Sequence, residues 1–390
     1  MTKSEKISSI LAQMFFYEEF VYDNLCFFRE DGSRVELADV LINLDDVLIV
    51  IQIKERSSAS QTNLVEVECR WLHSKIKKAK SQIQNTISYI AGDKLPYFVN
   101  TKGQQLKINQ QATLFPIIIF DNDTILDYQK VIHSRSRNID IHCFSITDFQ
   151  AICRLLWTPI EIVDYLQYRA GFFQSNNDSI SKARGSFLTI LKTSEPDAMT
   201  EILFAQNYIT REYSQPIFKL EDRPLQLFRY FLKEMKNHLV VDQGSRYIVI
   251  NALLSKLSRM EIYYFMERLY LALKDAKNNI FDCSHFMINV ARKTGIVFMA
   301  SNLQTQNRIS LIAQTFKYSF QLENVLCVNV YWEDNLHHRI DFCLIYGDWR
   351  YNDLLDKVSR ELEMWGRGVV TSKKDWAISI MPPKPENRSK

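Results

Sequence analysis

Glu36-Leu37-Ala38-Asp39-Val40-Leu41-Ile42, followed after a short polar break by Val47-Leu48-Ile49-Val50-Ile51-Gln52-Ile53-Lys54, is the stretch whose reading decides the fold. Both segments are rich in apolar and β-branched residues, and Asn43-Leu44-Asp45-Asp46 between them has the Asn and Asp residues of a tight turn. The two segments are therefore expected to pair as a hairpin. Side chains two apart on a strand share a face, so Gln52 and Lys54 lie together, and the hairpin brings Asp39 to the same edge. A glutamine and a lysine on one face of an otherwise apolar strand need partners, because a buried polar group without one is costly.

Working outward, Ile7, Ile10, Leu11, Met14, Val21 and Leu25 recur at helical spacing, which predicts an opening amphipathic helix carrying the adjacent acids Glu18 and Glu19. Arg29-Glu30-Asp31-Gly32-Ser33 is an irregular link to the first strand. Past the hairpin, 57–63 reads as a polar loop and 65–90 as one long helix without proline or glycine, stopped by Ala91-Gly92-Asp93. The apolar run 112–120 predicts a buried central strand with Pro116 near its start. A further strand is expected over 139–144 and a helix over 147–156. Thr158-Pro159-Ile160-Glu161 then starts another helix, with threonine as cap and proline in the first turn. This order predicts an α/β core with a mixed sheet, complete by about Phe173.

A chain of 390 residues is long for a single hydrophobic core, so two domains are expected. The first spans 1–173, a polar linker beginning Gln174-Ser175-Asn176-Asn177 spans 174–185, an α+β domain spans 186–382, and 383–390 form a disordered tail. In the second half the pattern predicts helices over 225–239, 247–276, 309–320 and 352–364, and strands over 295–300, 325–332 and 338–346. The aromatics Phe228, Tyr230, Phe231, Tyr263-Tyr264-Phe265 and Trp332 read as core. This half is read as a regulatory, DNA-positioning or partner-binding domain, its partner a second copy of the chain or another protein.

Composition narrows the classes. Hydrophobic residues at 46% and charged residues at 24% describe a globular chain rather than a disordered one. No apolar run reaches eighteen residues and the N-terminus lacks a signal-peptide core, so a soluble cytoplasmic protein without membrane contact is expected. Seven scattered cysteines without a C-x-x-C pair indicate neither a disulfide framework nor a zinc site. The histidines show no ligand spacing, Ser145 and Ser186 lack a nucleophile elbow, and no phosphate-binding G-x-x-x-x-G-K-[ST] loop exists. Formal net charge is only +3, so any nucleic-acid binding must come from a local patch. The helix over 65–90 offers one: it carries Lys75, Lys77, Lys78 and Lys80, and Lys78, Gln82, Asn85 and Tyr89 share a face.

With these residues in place, positions 1–170 resemble the PD-(D/E)XK nuclease superfamily, the fold of many type II restriction enzymes. Ala38-Asp39 stands at the PD position and Gln52-Ile53-Lys54 at (D/E)XK. Gln52 departs from the acidic residue of that motif and is similar to the Q-x-K variant of Mrr-type restriction endonucleases. The resemblance implies a restriction-endonuclease-like mixed sheet flanked by helices and a Mg²⁺- or Mn²⁺-dependent nuclease, an endonuclease rather than an exonuclease, acting on DNA, with RNA the second substrate class. It implies Asp39 and either Glu18 or Glu19 as metal ligands, the Gln52 amide and the Ile53 carbonyl as neutral ligands, and Lys54 as the group that positions water. Lys75, Lys78 and Gln82 would meet the DNA, with Gln82 beside the metal. A neutral Gln52 implies weaker metal binding than three carboxylates give, and antiviral defence or restriction is the implied setting. The alternative is a nuclease-fold module that has lost its chemistry and serves as a nucleic-acid-binding or protein-interaction scaffold.

Overall fold

The computed structural model describes residues 3–57, 60–61, 64–92, 96–122, 128–175, 201, 205–209, 223–238, 246–281, 284–302, 309–332, 337–362, 369–372 and 376–379. It divides into two compact units, Met1–Leu220 with Leu254–Ser258, and Glu221–Leu253 with Arg259–Lys390. The division falls later than the expected one at residue 173. The expected linker lies outside the described residues beyond Ser175, which still belongs to a helix, and so does the expected tail.

Unit 1 opens with α1, Lys3–Phe16. The sequence predicts that this helix continues through Leu25, and here the structure differs. Tyr17 takes φ 62°, Glu18–Phe20 form a short 3-10 turn, and Val21–Phe28 is a strand, β1. The apolar spacing of Val21 and Leu25 fits a helix, but the β-branched and aromatic residues of this segment suit a half-buried pleated surface, and its pairing with the next strand decides the outcome.

β1 pairs antiparallel with β2, Arg34–Asn43, across a turn in which Gly32 takes φ 77°. β2 pairs antiparallel with β3, Val47–Glu55, so the expected hairpin is present, with Asp45 at φ 69° in its turn. α2, Val65–Ala91, then crosses to β4, Thr113–Asp121, which runs parallel to β3 with Gln52 opposite Ile118 and Lys54 opposite Phe120. β5, Val131–Ser134, and β6, Ile139–Ser145, complete a six-stranded mixed sheet of order β1-β2-β3-β4-β6-β5. Leu37, Leu41, Leu48 and Val50 bury one face of the sheet against Leu72, Ala79 and Ile83 of α2. Each such leucine, valine or isoleucine side chain contributes about 1.5–3 kcal/mol. Apolar residues thus fix α2 over the face that also carries Asp39, Gln52 and Lys54.

α3, Ile146–Leu155, begins where Ser145 Oγ accepts the Asp148 N–H at 3.0 Å, and α4, Pro159–Ser175, follows. Arg169 of α4 is fully buried. Its guanidinium pairs with Glu201 at 2.7 Å and donates to the carbonyls of Lys130 at 2.7 Å and Cys143 at 2.9 Å.

Helices α5, Arg223–His238, α6, Arg246–Ser255, whose last two residues are counted with unit 1, and α7, Arg259–Lys277, precede the strands of unit 2. The single helix expected over 247–276 is therefore broken, at the turn where the Leu257 N–H reaches the Leu254 carbonyl at 3.2 Å. β7, Ser284–Asn289, pairs with β8, Thr294–Ala300; α8, Ile309–Ser319, crosses to β9, Asn324–Trp332, and β10, His338–Ile345, follows. After α9, Asp353–Leu362, the strands β11, Val369–Ser372, and β12, Trp376–Ser379, join the far edge, giving the order β10-β9-β8-β7-β12-β11. Phe228, Phe231, Phe265, Phe298 and Phe342 pack ring against ring as expected of core aromatics, whereas Tyr230 and Tyr263 are exposed. The molecule is thus a mixed α/β sheet flanked by helices followed by a second α+β unit. No helix among the described residues is long and apolar enough to cross a membrane.

Candidate active site

The registered pairing of β2 with β3 stops at Val40 opposite Ile51. Beyond that pair the Ile53 N–H donates not to backbone but to Asp39 Oδ2, at 2.5 Å. A second irregularity lies on the other side of β2. Leu25 pairs with Ala38 but Cys26 pairs with Glu36, so Leu37 is an extra residue, a β-bulge. Its carbonyl, freed from the ladder, accepts Gln52 Nε2 at 3.0 Å and also the Thr86 hydroxyl of α2.

These two distortions build a polar cluster under α2. Gln52 is fully buried, and while its Nε2 holds the bulge its Oε1 accepts Lys54 Nζ at 3.1 Å. Lys54 Nζ also donates to the Ile53 carbonyl at 2.9 Å and lies 3.7 Å from Asp39 Oδ2. The bulge turns Glu36, which strict alternation would point away from Asp39, to within hydrogen-bond reach of the Asp39 carboxyl. From α2, Gln82 Nε2 donates to Glu36 Oε2 at 3.2 Å, and the Lys78 ammonium is near enough to act on Lys54. At the ends of β3 and β4, buried Glu68 of α2 pairs with Arg56 at 2.6 Å and accepts from Asn122 at 2.6 Å, which fixes the first turn of α2 beside Lys54.

The electrostatics follow from this crowding. Burial pushes the Asp39 carboxyl up to about 6, the neighbouring Glu36 carboxyl adds to the rise, and the Lys54 ammonium and Ile53 N–H oppose it. Burial likewise lowers Lys54 from its usual range, while Asp39 and Glu36 pull it back up and Lys78 lowers it further.

Of the residues singled out in the sequence, Asp39, Gln52, Ile53 and Lys54 come together, with Lys78 and Gln82 above them. Lys75, half-buried on α2, takes no part in these contacts among the described residues. Glu18 and Glu19 are not brought to the site, which corrects the expectation that one of them completes it. They precede β1, whose first residue Val21 pairs with Ile42, three residues along β2 from Asp39. At about 3.3 Å per residue that pair is already roughly 10 Å away, and the acids lie farther still. The Glu18 carboxylate is ion-paired with Lys102, and the Glu19 carbonyl accepts Asn100 Nδ2 at 2.7 Å. The acid that sequence reasoning missed is Glu36. Nothing in the composition of a strand announces a bulge, and without one Glu36 and Asp39 belong to opposite faces.

The donor set fits a hard divalent cation. It consists of oxygens only: the two carboxylates, Gln52 Oε1, the Ile53 carbonyl, and Gln82 Oε1, which is buried without a hydrogen-bond partner. A buried carboxylate, Asp39, held against an exposed one, Glu36, is what such an ion would relieve. Among the described residues no three acidic, histidine or cysteine side chains converge, so an ion here rests on two carboxylates and neutral oxygens. No protein-family model, no curated protein and no solved structure matches this chain.

Proposed function

We propose that unit 1 is a metal-dependent nuclease that hydrolyses phosphodiester bonds in DNA. The observation that carries this reading is the forced proximity of Glu36 and Asp39 beside the largely buried Lys54, in a cluster made of oxygens and one amine. Glu36 and Asp39 would hold Mg²⁺ or Mn²⁺, with Gln52 Oε1, the Ile53 carbonyl and Gln82 Oε1 as neutral donors. When bound, the ion polarises the scissile phosphate and acidifies a water molecule.

The chain's own groups do the rest. With Asp39 and Glu36 engaged in holding the ion, Lys54 would be free to turn toward the water and the phosphate. Lys54 then orients the attacking water, and as an ammonium it stabilises negative charge developing on the phosphate, an interaction strengthened by burial. Gln52 keeps the bulge in place through the Leu37 carbonyl and so keeps Glu36 aimed at Asp39. From Cys69 to Gly92, α2 carries five cations, Arg70, Lys75, Lys77, Lys78 and Lys80, and no acid, a local patch suited to a phosphate backbone. Incubating the purified chain with plasmid and linear DNA, with Mn²⁺ or with EDTA, tests the reading: cleavage in Mn²⁺ alone supports it.

One observation favours a second reading. The Lys54 ammonium already donates to both neutral oxygens of the cluster. An internal ammonium in that place neutralises the carboxylates without any metal, as a module that binds nucleic acid or protein without chemistry would need. Binding of DNA that is equal with and without Mn²⁺, and never followed by products, would support it.

A further inference from the structure

Two guanidinium groups outside the candidate active site converge on adjacent residues of α2. Arg29, in the β1–β2 turn, donates to Tyr89 Oη through Nη2 at 2.6 Å and Nε at 3.1 Å. Arg137, in the β5–β6 turn, donates to Ser88 Oγ through Nη2 at 2.5 Å. These turns belong to different parts of the sheet, and both side chains are exposed. Among the described residues neither makes an ion pair. The nearest acid on the first turn, Asp31, accepts the Ser33 N–H at 2.8 Å, and that turn also carries Glu30. Each hydroxyl takes only one edge of its guanidinium, so most of the five donors of each group face solvent.

We propose that Arg29 and Arg137 form a phosphate clasp at the far end of α2, which grips the backbone of the DNA strand whose scissile phosphate lies at Lys54. This inference rests on the nuclease reading and extends it to the length of strand the protein must engage. Lys78, Gln82, Asn85 and Tyr89 mark one stripe of the helix, and eleven residues from Lys78 to Tyr89 span about 16 Å at 1.5 Å each. At about 3.4 Å per nucleotide that stripe covers roughly five nucleotides of one strand. Along it the amides of Gln82 and Asn85 lie between the cations of the site and the clasp. The charge complementarity favours a polyanion, and guanidinium forks suit phosphate oxygens better than any other common anion of that spacing.

The test uses the full chain carrying Asp39→Asn, in EDTA, so that binding is read without cleavage. A fluorescent 30-nucleotide DNA is titrated at several salt concentrations, with Arg29→Ala/Arg137→Ala and Arg29→Lys/Arg137→Lys compared against the parent. The alanine pair should weaken binding roughly tenfold at low salt and reduce the slope of log affinity against log salt by about 1.4–1.8, two contacts' worth. The lysine pair should retain most of the slope, and a four-nucleotide DNA should not distinguish the three proteins. Unchanged affinity and slope in the alanine pair, in a parent that binds the 30-nucleotide DNA, would overturn the clasp and leave the nuclease reading standing. A parent that binds no DNA at all would remove both.

Discussion

The Lys54 ammonium near the end of β3 lies 3.7 Å from Asp39 Oδ2 of β2, just past the last registered pair of these strands, and both side chains are largely buried. This ion pair lies in a cluster with two carboxylates, because the bulge at Leu37 adds Glu36 to it. Burial is the main cause that raises the Asp39 carboxyl, with Glu36 adding to the rise, and the first prediction follows from that shift.

In the metal-free protein Asp39 titrates at about 6, against a value of 3.8 for the free side chain. A carboxyl raised in the folded state favours folding while it is protonated. That advantage is fully present below pH 3.8 and is lost as pH rises through about 6. Asp39→Asn cannot ionise, so in EDTA its stability relative to wild type should improve between pH 4 and pH 8 by on the order of 2–3 kcal/mol. Urea melts at a series of pH values measure this, and a difference that stays flat across the range contradicts it.

Glu36, rather than Glu18 or Glu19, is the second acid of the site. Glu36→Gln should therefore cut Mn²⁺-dependent cleavage by about tenfold or more, since it removes one of two charged oxygens. The double variant Glu18→Gln/Glu19→Gln should stay within roughly twofold of wild type, because it touches only a half-exposed pair with Lys102. Initial rates at saturating and limiting Mn²⁺ separate the two, and a reversed order of effects would restore the acids before β1 to the site.

Gln52 cannot be replaced by glutamate without cost. A glutamate there keeps the acceptor for Lys54 but loses the N–H that holds the Leu37 carbonyl at 3.0 Å. Gln52→Glu should lower folding stability by about 1–3 kcal/mol although it adds a carboxylate. Thermal melts in EDTA check it, and an unchanged melting temperature would mean that Thr86 alone suffices to hold the bulge.

Arg169 predicts a larger effect far from the site. It is fully buried and pairs with Glu201, which is buried as well. Arg169→Met removes the charged partner of that carboxylate, leaving it the Tyr165 hydroxyl, and should cost about 3–5 kcal/mol. Denaturant melts measure the loss, and a cost under 1 kcal/mol would show that Glu201 finds another partner.

The hairpin of β2 and β3, the long α2 and the buried β4 were legible because each has a periodicity or an apolar run of its own, with turn residues or a glycine at its ends. β1 was not, since Val21 and Leu25 satisfy helical spacing and only pairing with β2 makes the segment extended. The same limit applied to the site. Asp39, Gln52 and Lys54 follow from alternation along regular strands, but Glu36 reaches them through a break in that alternation, which depends on how Cys26 and Leu25 pair across the sheet. In unit 2, β7, β11 and β12 are short and depend on one another for pairing, so no local pattern announced them.

The most direct measurement is cleavage of linear, circular and single-stranded DNA by the purified chain in Mn²⁺ and in EDTA, beside Asp39→Ala and Lys54→Ala shown to be folded by circular dichroism. The account predicts products from the wild type in Mn²⁺ only, and none from either variant. Folded wild-type protein that cuts none of these substrates, or variants that cut as well as wild type, would contradict it.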